Sequence, residues 1–166
     1  MHDVTFDRLR VEKCNETAWQ EVLKILEDTE QSDWFSGKEK YQDFYTITDT
    51  DLNKIIACFT FYQSGTTGIL QNFAVCKNLQ RKGIGTFIAN NLIPEAAREK
   101  GIKKLFLHGN DRGIFTSNHF WIKTIFKPIK SSEVKDPFYL DYFNHLVNDY
   151  PPESLCKESI FYLDIN

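Results

Sequence analysis

The run Gln80–Thr86 constrains the fold of this chain most, because it carries two closely spaced glycines, Gly83 and Gly85. It follows a strand-like segment, Ile69–Val75, and leads into a helix-like segment, Ile84–Lys100. Glycines allow a sharp backbone turn and keep side chains away from a ligand. The first N–H groups of a helix lack intrahelical partners and lie at its positive end. The run therefore predicts an anion cradle suited to a phosphate or pyrophosphate.

Two other glycine-rich phosphate sites are excluded by the residues around this run. A dinucleotide-binding fingerprint requires a third glycine, and Ile88 stands in that place. A nucleoside-triphosphate loop requires Lys after its second glycine, whereas Thr86 and Phe87 follow Gly85. An ordinary tight turn with two glycines is the remaining alternative, and the downstream sequence weighs against it.

At this point the chain resembles the GNAT superfamily of N-acetyltransferases. The motif resemblance extends from Leu70 to Ile129, and the order of the expected elements extends it over most of the chain. The matching pieces are Phe73-Ala74-Val75, then Gln80-x-x-Gly83-x-Gly85, then Phe120-Trp121 followed by Phe126-Lys127-Pro128.

The expected elements fit a mixed α/β layer fold. Strands are predicted at Val4–Arg10, Phe44–Thr48, Ile55–Tyr62, Ile69–Val75, Lys104–His108, Phe126–Lys130 and Ile160–Ile165. Helices are predicted after a capping box at Thr17 and Gln20, over Ile84–Lys100 with a kink or break at Pro94, near Ser117–Thr124, and over Asp136–Asn148. The resemblance implies a GNAT-like, mostly antiparallel central sheet flanked by helices, in a single domain over residues 1–166.

An aromatic insert between Ser131 and Lys157 departs from a minimal acetyltransferase and precedes the last strand. Its predicted helix places several large side chains on one face, namely Tyr139, Tyr142, Phe143 and Leu146. Three roles are open for this helix: it covers an edge of the sheet, it forms a lid over an acceptor pocket, or it contacts a second copy in a homodimer.

The resemblance implies that the glycine run holds coenzyme A and that acetyl-CoA is the co-substrate. The backbone amides from Arg81 to Thr86 are expected to receive the pyrophosphate, and the side chains of Arg81 and Lys82 add positive charge near it. The backbone at Val75 is expected to hydrogen-bond the pantetheine arm as an added strand would. The predicted cofactor-binding residues are Phe73, Ala74, Val75, Gln80, Arg81, Lys82, Gly83, Ile84, Gly85 and Thr86.

The catalytic groups are harder to assign, because the chain departs from the commonest family pattern. Many relatives carry a Glu base where this chain has Gln71, followed by Asn72, and neither side chain can act as a base. His108 titrates in a range that suits proton transfer, so it is a candidate catalytic residue, with a hydrogen-bonded structural role as the alternative. Trp121 is the second candidate.

Trp121 stands where many relatives use a tyrosine to protonate the departing thiolate. Its indole N–H can donate a hydrogen bond but does not usefully ionise. It is expected either to line the acyl pocket or to pack in the core. Cys76 suggests a covalent acyl-enzyme, but the sequence names no base to activate it and the resemblance implies direct transfer.

Composition excludes several other functions. The net charge of −3 gives no electrostatic reason to expect nucleic acid, and no long apolar run predicts a membrane span. The N-terminus is polar from His2 onward, which argues against a signal peptide, so a cytoplasmic location is expected. The four cysteines are widely spaced and predict neither a zinc site nor a disulfide framework.

A calcium-like pattern at Asp49, Asp51 and Asn53 is also rejected. Such a loop needs Gly at its sixth position and Glu at its twelfth, and these are Lys54 and Thr60. The segment is therefore predicted to be a polar hairpin turn, and no metal is expected.

The expected function is acetyl transfer from acetyl-CoA to a primary amine by direct attack on the thioester. The acceptor stays open among a polyamine, an antibiotic, an amino acid and a peptide or protein amine, selected by residues 33–40, the loop Asp49–Asn53 and the aromatic insert. A non-catalytic acyl-CoA-binding or sensing module is the alternative, which Gln71 and Trp121 keep open. Another donor, such as succinyl- or propionyl-CoA, is a third reading.

Overall fold

A computed structural model describes residues 6–29, 41–109, 117–149 and 160–166. The strands in these ranges are β1 Leu9–Lys13, β2 Phe44–Asp49, β3 Lys54–Ser64, β4 Thr67–Val75, β5 Lys104–His108, β6 Lys127–Ile129 and β7 Ile160–Asp164. The α-helices are α1 Trp19–Asp28, α2 Ile84–Phe87, α3 Ile93–Glu99, α4 Ser117–Trp121 and α5 Pro137–Asp149. None of the described helices is long and apolar enough to cross a bilayer.

Within the described ranges, the seven strands form one sheet in the order β1-β2-β3-β4-β5-β7-β6. The β1–β2, β2–β3, β5–β7 and β6–β7 pairs are antiparallel. The β4–β5 pair is parallel and joins Thr67 with Lys104, Gly68 with Leu105, and Ile69 with Phe106. The predicted mixed α/β fold with a mostly antiparallel sheet is therefore confirmed.

Contacts divide the chain into two compact units. The first unit consists of Met1–Phe61 and Leu70–Ile88, and the second of Tyr62–Ile69 and Ala89–Asn166. Both β3 and β4 contribute residues to each unit. A single domain over the whole chain stays a prediction.

The core of the first unit forms where α1 packs on the sheet. Val22, Ile25 and Leu26 recur at helical spacing and are buried. They pack against Phe44 of β2, and Cys14, Cys58 and Ala74 complete the buried cluster. The start of α1 differs from the prediction: the capping box at Thr17 and Gln20 is wrong, because the side-chain oxygen of Asn15 accepts the Ala18 N–H at 2.9 Å instead.

The first strand also begins later than predicted. The prediction of Val4–Arg10 is wrong at Phe6–Arg8, which forms a 3₁₀ turn, and is confirmed at Leu9 and Arg10, where β1 begins. Arg8 explains the boundary: its Nε lies 2.9 Å from a carboxylate oxygen of Asp49, and its carbonyl accepts the Thr50 N–H at 3.0 Å. These contacts fix the chain beside the β2–β3 hairpin before pairing starts.

The helix that follows the glycine run is divided in the way that Pro94 predicts. A π-helical turn, Ile88–Leu92, separates α2 from α3, and Pro94 lies in the first turn of α3. The π-helical turn changes the hydrogen-bond pattern just before the proline, which has no N–H to donate to an α-helical bond. The chain stays helical from Ile84 to Glu99, and its α-helical pattern is interrupted just before Pro94, as predicted.

The core of the second unit lies beneath α5. Ile69 of β4, Phe106 of β5 and Ile160 of β7 are buried against Val134 and the fully buried Tyr139. The insert helix therefore packs on the sheet in this unit, against residues of β4, β5 and β7, and the lid and homodimer roles stay predictions. Its apolar surface also includes the half-buried Phe138, Leu140, Tyr142 and Phe143.

Asp136 should stabilise the start of α5, because it caps the helix and ties it to β4. One carboxylate oxygen accepts the Tyr139 N–H at 3.0 Å, and the other accepts the Thr67 hydroxyl at 2.8 Å. Asp136→Ala is expected to lower the free energy of unfolding by about 1–2 kcal/mol. The measurement is urea unfolding, with the exposed Asp141→Ala as a control that changes stability by less than about 0.5 kcal/mol. Equal losses in the two variants would contradict the capping role.

Candidate active site

The glycine run forms a tight turn that is tied back to the end of β4. The Gln80 side-chain amide donates to the Val75 carbonyl at 3.0 Å. Arg81 and Gly83 both have left-handed backbone, with φ of +60° and +81°. The Gln80 contact and the two left-handed residues together reverse the chain between the strand and the helix. Sequence reasoning expected glycine to supply this freedom, but Arg81 also adopts it, at a cost that only glycine avoids.

The turn leaves the first backbone N–H groups of α2 without an intrahelical acceptor at the N-terminal end of the helix. The Phe87 N–H donates to the Gly83 carbonyl at 3.0 Å and closes the first helical turn. The amides of Ile84, Gly85 and Thr86 precede that bond, so they have no acceptor one turn back in the helix. Arg81 and Lys82 are exposed beside them. This geometry is suited to an anion.

Aromatic packing between Phe6 and Phe87 stabilises the position of the turn. The Phe6 ring stacks on Phe87, with centroids 4.4 Å apart and planes at 13°. Ile84 is buried. A Cβ placed on Gly83 would lie 3.8 Å from Phe6, which is ordinary contact, so space alone does not demand glycine there. The left-handed φ of residue 83 is what favours glycine there.

A second backbone irregularity lies inside β4 and was missed by sequence reasoning. Asn72 has a φ of +50°, which is outside the strand region. The Cys58 thiol contacts its carbonyl at 3.9 Å. The available signal was the residue type, since Asn tolerates left-handed backbone better than most residues. A local interruption of this kind changes where the amides and carbonyls of Phe73–Val75 point.

The π-helical turn adds another contact that the sequence did not reveal. The Asn90 side-chain oxygen accepts the Ile125 N–H at 2.9 Å. This bond ties the helix after the glycine run to the segment after α4, within the second unit. Asparagine is a weak helix former, and its presence in a helical stretch was the only signal.

His108 is the last residue of β5 and is half-buried, with both ring nitrogens shielded from solvent. Burial lowers the pKa of its imidazole to about 4. Neither ring nitrogen has a hydrogen-bond partner among the described residues, and the ring centroid is 5.9 Å from that of Phe143. The alternative of a hydrogen-bonded structural histidine finds no support in these contacts. A catalytic role stays a prediction.

Trp121 ends α4 and is buried. Its ring meets Phe120 and Phe126 edge-on, at centroid distances of 4.9 Å and 5.2 Å. The Thr124 hydroxyl donates to its carbonyl at 2.7 Å. These contacts account for a packing role in the second unit, and a role beside the acyl group stays a prediction.

Cys76 follows directly after β4 and is half-buried. Burial raises the pKa of its thiol, an effect that nearby Lys54 partly offsets. A thiol that resists ionisation is a poor nucleophile, which agrees with direct transfer. Cys14, Cys58 and Cys76 are free thiols.

Two of the predicted acceptor-selecting segments can be compared with the structure, and residues 33–40 lie outside the described ranges. The loop Asp49–Asn53 is a polar hairpin turn, as predicted. The Asp49 carboxylate accepts the Asp51 and Leu52 N–H groups at 3.1 Å and 3.2 Å. Across the described ranges, no group of three or more His, Cys, Asp or Glu side chains is placed to hold a metal ion.

The structure therefore places all ten predicted cofactor residues in the first unit, on β4 and the glycine run. His108 and Trp121 both lie in the second unit, on β5 and α4.

The family assignment follows from the matched region. The family model described as the acetyltransferase (GNAT) family matches residues 9–119, which include β4, the glycine run and β5. The chain belongs to this family. No curated protein matches the sequence significantly.

Solved structures of the same fold agree with this assignment. N-acetylglutamate synthase from Neisseria gonorrhoeae, complexed with coenzyme A and N-acetyl-glutamate, has a TM-score of 0.66 at 14% identity, over 95% of this chain. This chain spans only 35% of that protein. A GNAT-family acetyltransferase from Staphylococcus aureus has a TM-score of 0.63 at 12% identity, with 95% and 99% of the two chains covered. A GNAT-family acetyltransferase from Elizabethkingia anophelis with acetyl-CoA bound has a TM-score of 0.59 at 18% identity, with 95% and 99% covered.

Gly83→Ala should weaken acetyl-CoA binding about tenfold, because alanine resists the left-handed turn that presents the α2 amides. The matched control is Gly65→Ala, since Gly65 has a φ of +56° and no heavy atom within 4 Å of an added Cβ. Either change should cost about 1–2 kcal/mol of stability, but only Gly83→Ala should change affinity by isothermal titration calorimetry. Unchanged affinity in Gly83→Ala would remove the glycine run from the cofactor site.

The free energy of unfolding should decrease as the pH is lowered, and His108 should cause part of that decrease. Its pKa is about 4 in the folded protein and about 6.5 when unfolded, so the unfolded state takes up the proton first. Above pH 6.5 the histidine does not destabilise the folded state. As the pH falls from 6.5, the destabilisation grows, and it reaches its full size near pH 4. His108→Gln should flatten the decline of the melting temperature over this range, while the exposed His145→Gln should retain it. Parallel curves for His108→Gln and the wild type would contradict the buried, neutral imidazole.

Proposed function

We propose that this chain is an N-acetyltransferase that moves the acetyl group of acetyl-CoA to a primary amine. One observation carries the proposal: the left-handed turn at Gly83 presents the N-terminus of α2 directly after β4, within the region that matches the family. The α2 amides of Ile84–Thr86 would hold the pyrophosphate, with Arg81 and Lys82 adding charge. The backbone of Phe73–Val75 would hold the pantetheine arm.

The reaction needs few groups from the protein. The nitrogen lone pair of a neutral amine attacks the thioester carbonyl carbon, the C–S bond then breaks, and coenzyme A leaves as a thiolate. A thiol pKa of about 8.5 makes this thiolate a good leaving group near neutral pH, so the lack of a tyrosine at Trp121 is tolerable. The proton released by the new amide nitrogen passes to water or to the thiolate.

The ionisation of the amine is the larger barrier. An alkyl amine with a pKa of about 10.4 is only about a thousandth neutral at pH 7.4, a cost of about 4 kcal/mol. Gln71 cannot remove that proton. His108, with a pKa of about 4, is a weaker base than the amine by about 6 pK units, or about 8 kcal/mol.

These values favour an acceptor of low basicity. An α-amino group has a pKa of about 7.7–8.0 and is therefore about a quarter neutral at pH 7.4. We accordingly propose the α-amine of an amino acid derivative or a peptide as the acceptor class. The Neisseria structure contains N-acetyl-glutamate, in which the acetyl group is attached to an α-nitrogen, and this supports the position of the amine in the proposed acceptor class.

The alternative function is a non-catalytic acyl-CoA-binding module. The specific observations in its favour are the half-buried Gln71 in place of a base and the low pKa of His108. A different acyl donor, such as succinyl- or propionyl-CoA, is compatible with the same cofactor residues.

Cofactor binding should raise the melting temperature. A ligand at about a hundred times its dissociation constant adds about 2.7 kcal/mol, or about 5–10 °C for a domain of this size. Acetyl-CoA and free CoA should give this shift and ATP should not. Release of free thiol on adding glycinamide then separates an enzyme from a binder, and competing acyl-CoA donors identify the acyl group. No shift with either coenzyme would overturn both functions.

A further inference from the structure

Most of the buried polar atoms without a partner in the described ranges belong to two residues of the second unit. In the described ranges, four buried side-chain nitrogen or oxygen atoms lack a hydrogen bond: Nε of Arg8, both ring nitrogens of His108 and the hydroxyl of Tyr139. Arg8 Nε lies 2.9 Å from the Asp49 carboxylate and is accounted for by that ion pair. The other three atoms belong to two residues of the second unit. Each such atom destabilises the folded protein if nothing binds it.

Tyr139 belongs to α5, and His108 lies on the strand that this helix covers. Phe106 and His108 are two residues apart on β5, so their side chains point to the same face of the sheet. The Tyr139 ring stacks on Phe106 at a centroid distance of 4.7 Å. Phe143 is one helical turn beyond Tyr139, and its ring centroid lies 5.9 Å from that of His108. The face of α5 that carries Tyr139 therefore also contacts His108.

The neighbours of these groups that the structure describes are aromatic. Phe106, Tyr142 and Phe143 supply the rings. Burial is the cause of the low pKa of His108. A charged ligand group would be enclosed there without a counter-charge, which is costly. An uncharged group is not penalised in this way.

The two side chains together offer a complementary set of hydrogen bonds. A neutral imidazole has one donor and one acceptor nitrogen, and a phenol hydroxyl can donate and accept. A carboxamide or a hydroxyl can use both kinds of partner at once. A carboxylate can only accept, and an alkyl group can do neither.

We propose that the His108 imidazole and the Tyr139 hydroxyl bind an uncharged hydrogen-bonding group, a carboxamide or a hydroxyl, of the acceptor. The insert helix α5 is then part of acceptor recognition. This inference rests on the proposed function in one respect only, which is that the bound molecule is an acceptor. Both residues act in recognition, and neither removes a proton from the amine.

The first test is stability, because it separates a ligand site from an internal hydrogen bond. Tyr139→Phe retains the ring that stacks on Phe106 and removes only the hydroxyl. If the hydroxyl is kept for a ligand, the variant should melt at the same temperature as the wild type or higher, since an unsatisfied group has been removed. A clear fall in melting temperature would show that the hydroxyl is bonded within the protein and would overturn the proposal.

The second test is binding, followed by the imidazole NMR signals of His108, assigned with His108→Gln. Glycinamide and ethanolamine should shift these signals saturably in the wild type, and propylamine should not. Tyr139→Phe should weaken glycinamide binding about fivefold to tenfold, the usual loss for one neutral hydrogen bond. Tyr162→Phe is the matched control, since Tyr162 is half-buried in the same cluster and its hydroxyl is not among the unpartnered atoms. It should bind glycinamide as the wild type does.

The third test is turnover, read as thiol release with acetyl-CoA. The ratio of kcat/KM in Tyr139→Phe to that in the wild type should fall for glycinamide and ethanolamine and stay near one for propylamine. Taking the ratio for each amine cancels differences in amine pKa. The KM for acetyl-CoA should not change. A saturable NMR shift without thiol release would retain this site and overturn the enzyme function; thiol release without any shift would do the opposite.

Discussion

The parallel ladder between β4 and β5 is the constraint on which the candidate site depends. Its three pairs, from Thr67 with Lys104 to Ile69 with Phe106, place two parallel strands side by side. Parallel neighbours cannot be joined by a tight turn, so the chain must cross over the sheet through a helix. A helix N-terminus therefore follows the carboxyl end of β4, and the glycine run occupies that place. Gly68 suits the ladder because a Cβ there would come within 2.7 Å of Ile102.

Most of the fold could be predicted because its signals are local. Residues that favour strands predicted β2 and β3, with a hairpin turn between them, and Pro94 predicted the interruption of the helix. The start of β1 could not be predicted, because it is set by the contacts of Arg8 with Asp49 and Thr50, which no spacing reveals. The left-handed backbone of Asn72 inside β4 was also not predicted. The sheet face beneath α5 could not be chosen from the helix pattern, since one aromatic stripe fits a strand edge or a face equally well.

In the candidate site, too, some features could be predicted from the sequence and others could not. The predicted cofactor residues form two short runs, Phe73–Val75 and Gln80–Thr86, and the glycines and the family resemblance in the sequence were sufficient to propose them. The acceptor side depends on pKa values, and these depend on burial. His108 suits proton transfer as a free side chain, yet its surroundings lower its pKa to about 4. The sequence predicted Tyr139 only as one of the large side chains on the apolar face of the insert helix. The structure shows that its side chain, including the hydroxyl, is fully buried.

The strand order has a consequence for how the chain is made. β7 lies between β5 and β6 in the sheet, although it is synthesised after both. Until Ile160–Asp164 leaves the ribosome, the edge of β5 that β7 will cover offers unpaired backbone groups, and β6 has yet to gain its β7 partner. Open edges of this kind invite pairing with other chains. The aromatic insert is synthesised before β7, and the packing of its helix on Phe106 can shield the face of β5. The edge of β5 stays unpaired until β7 is added.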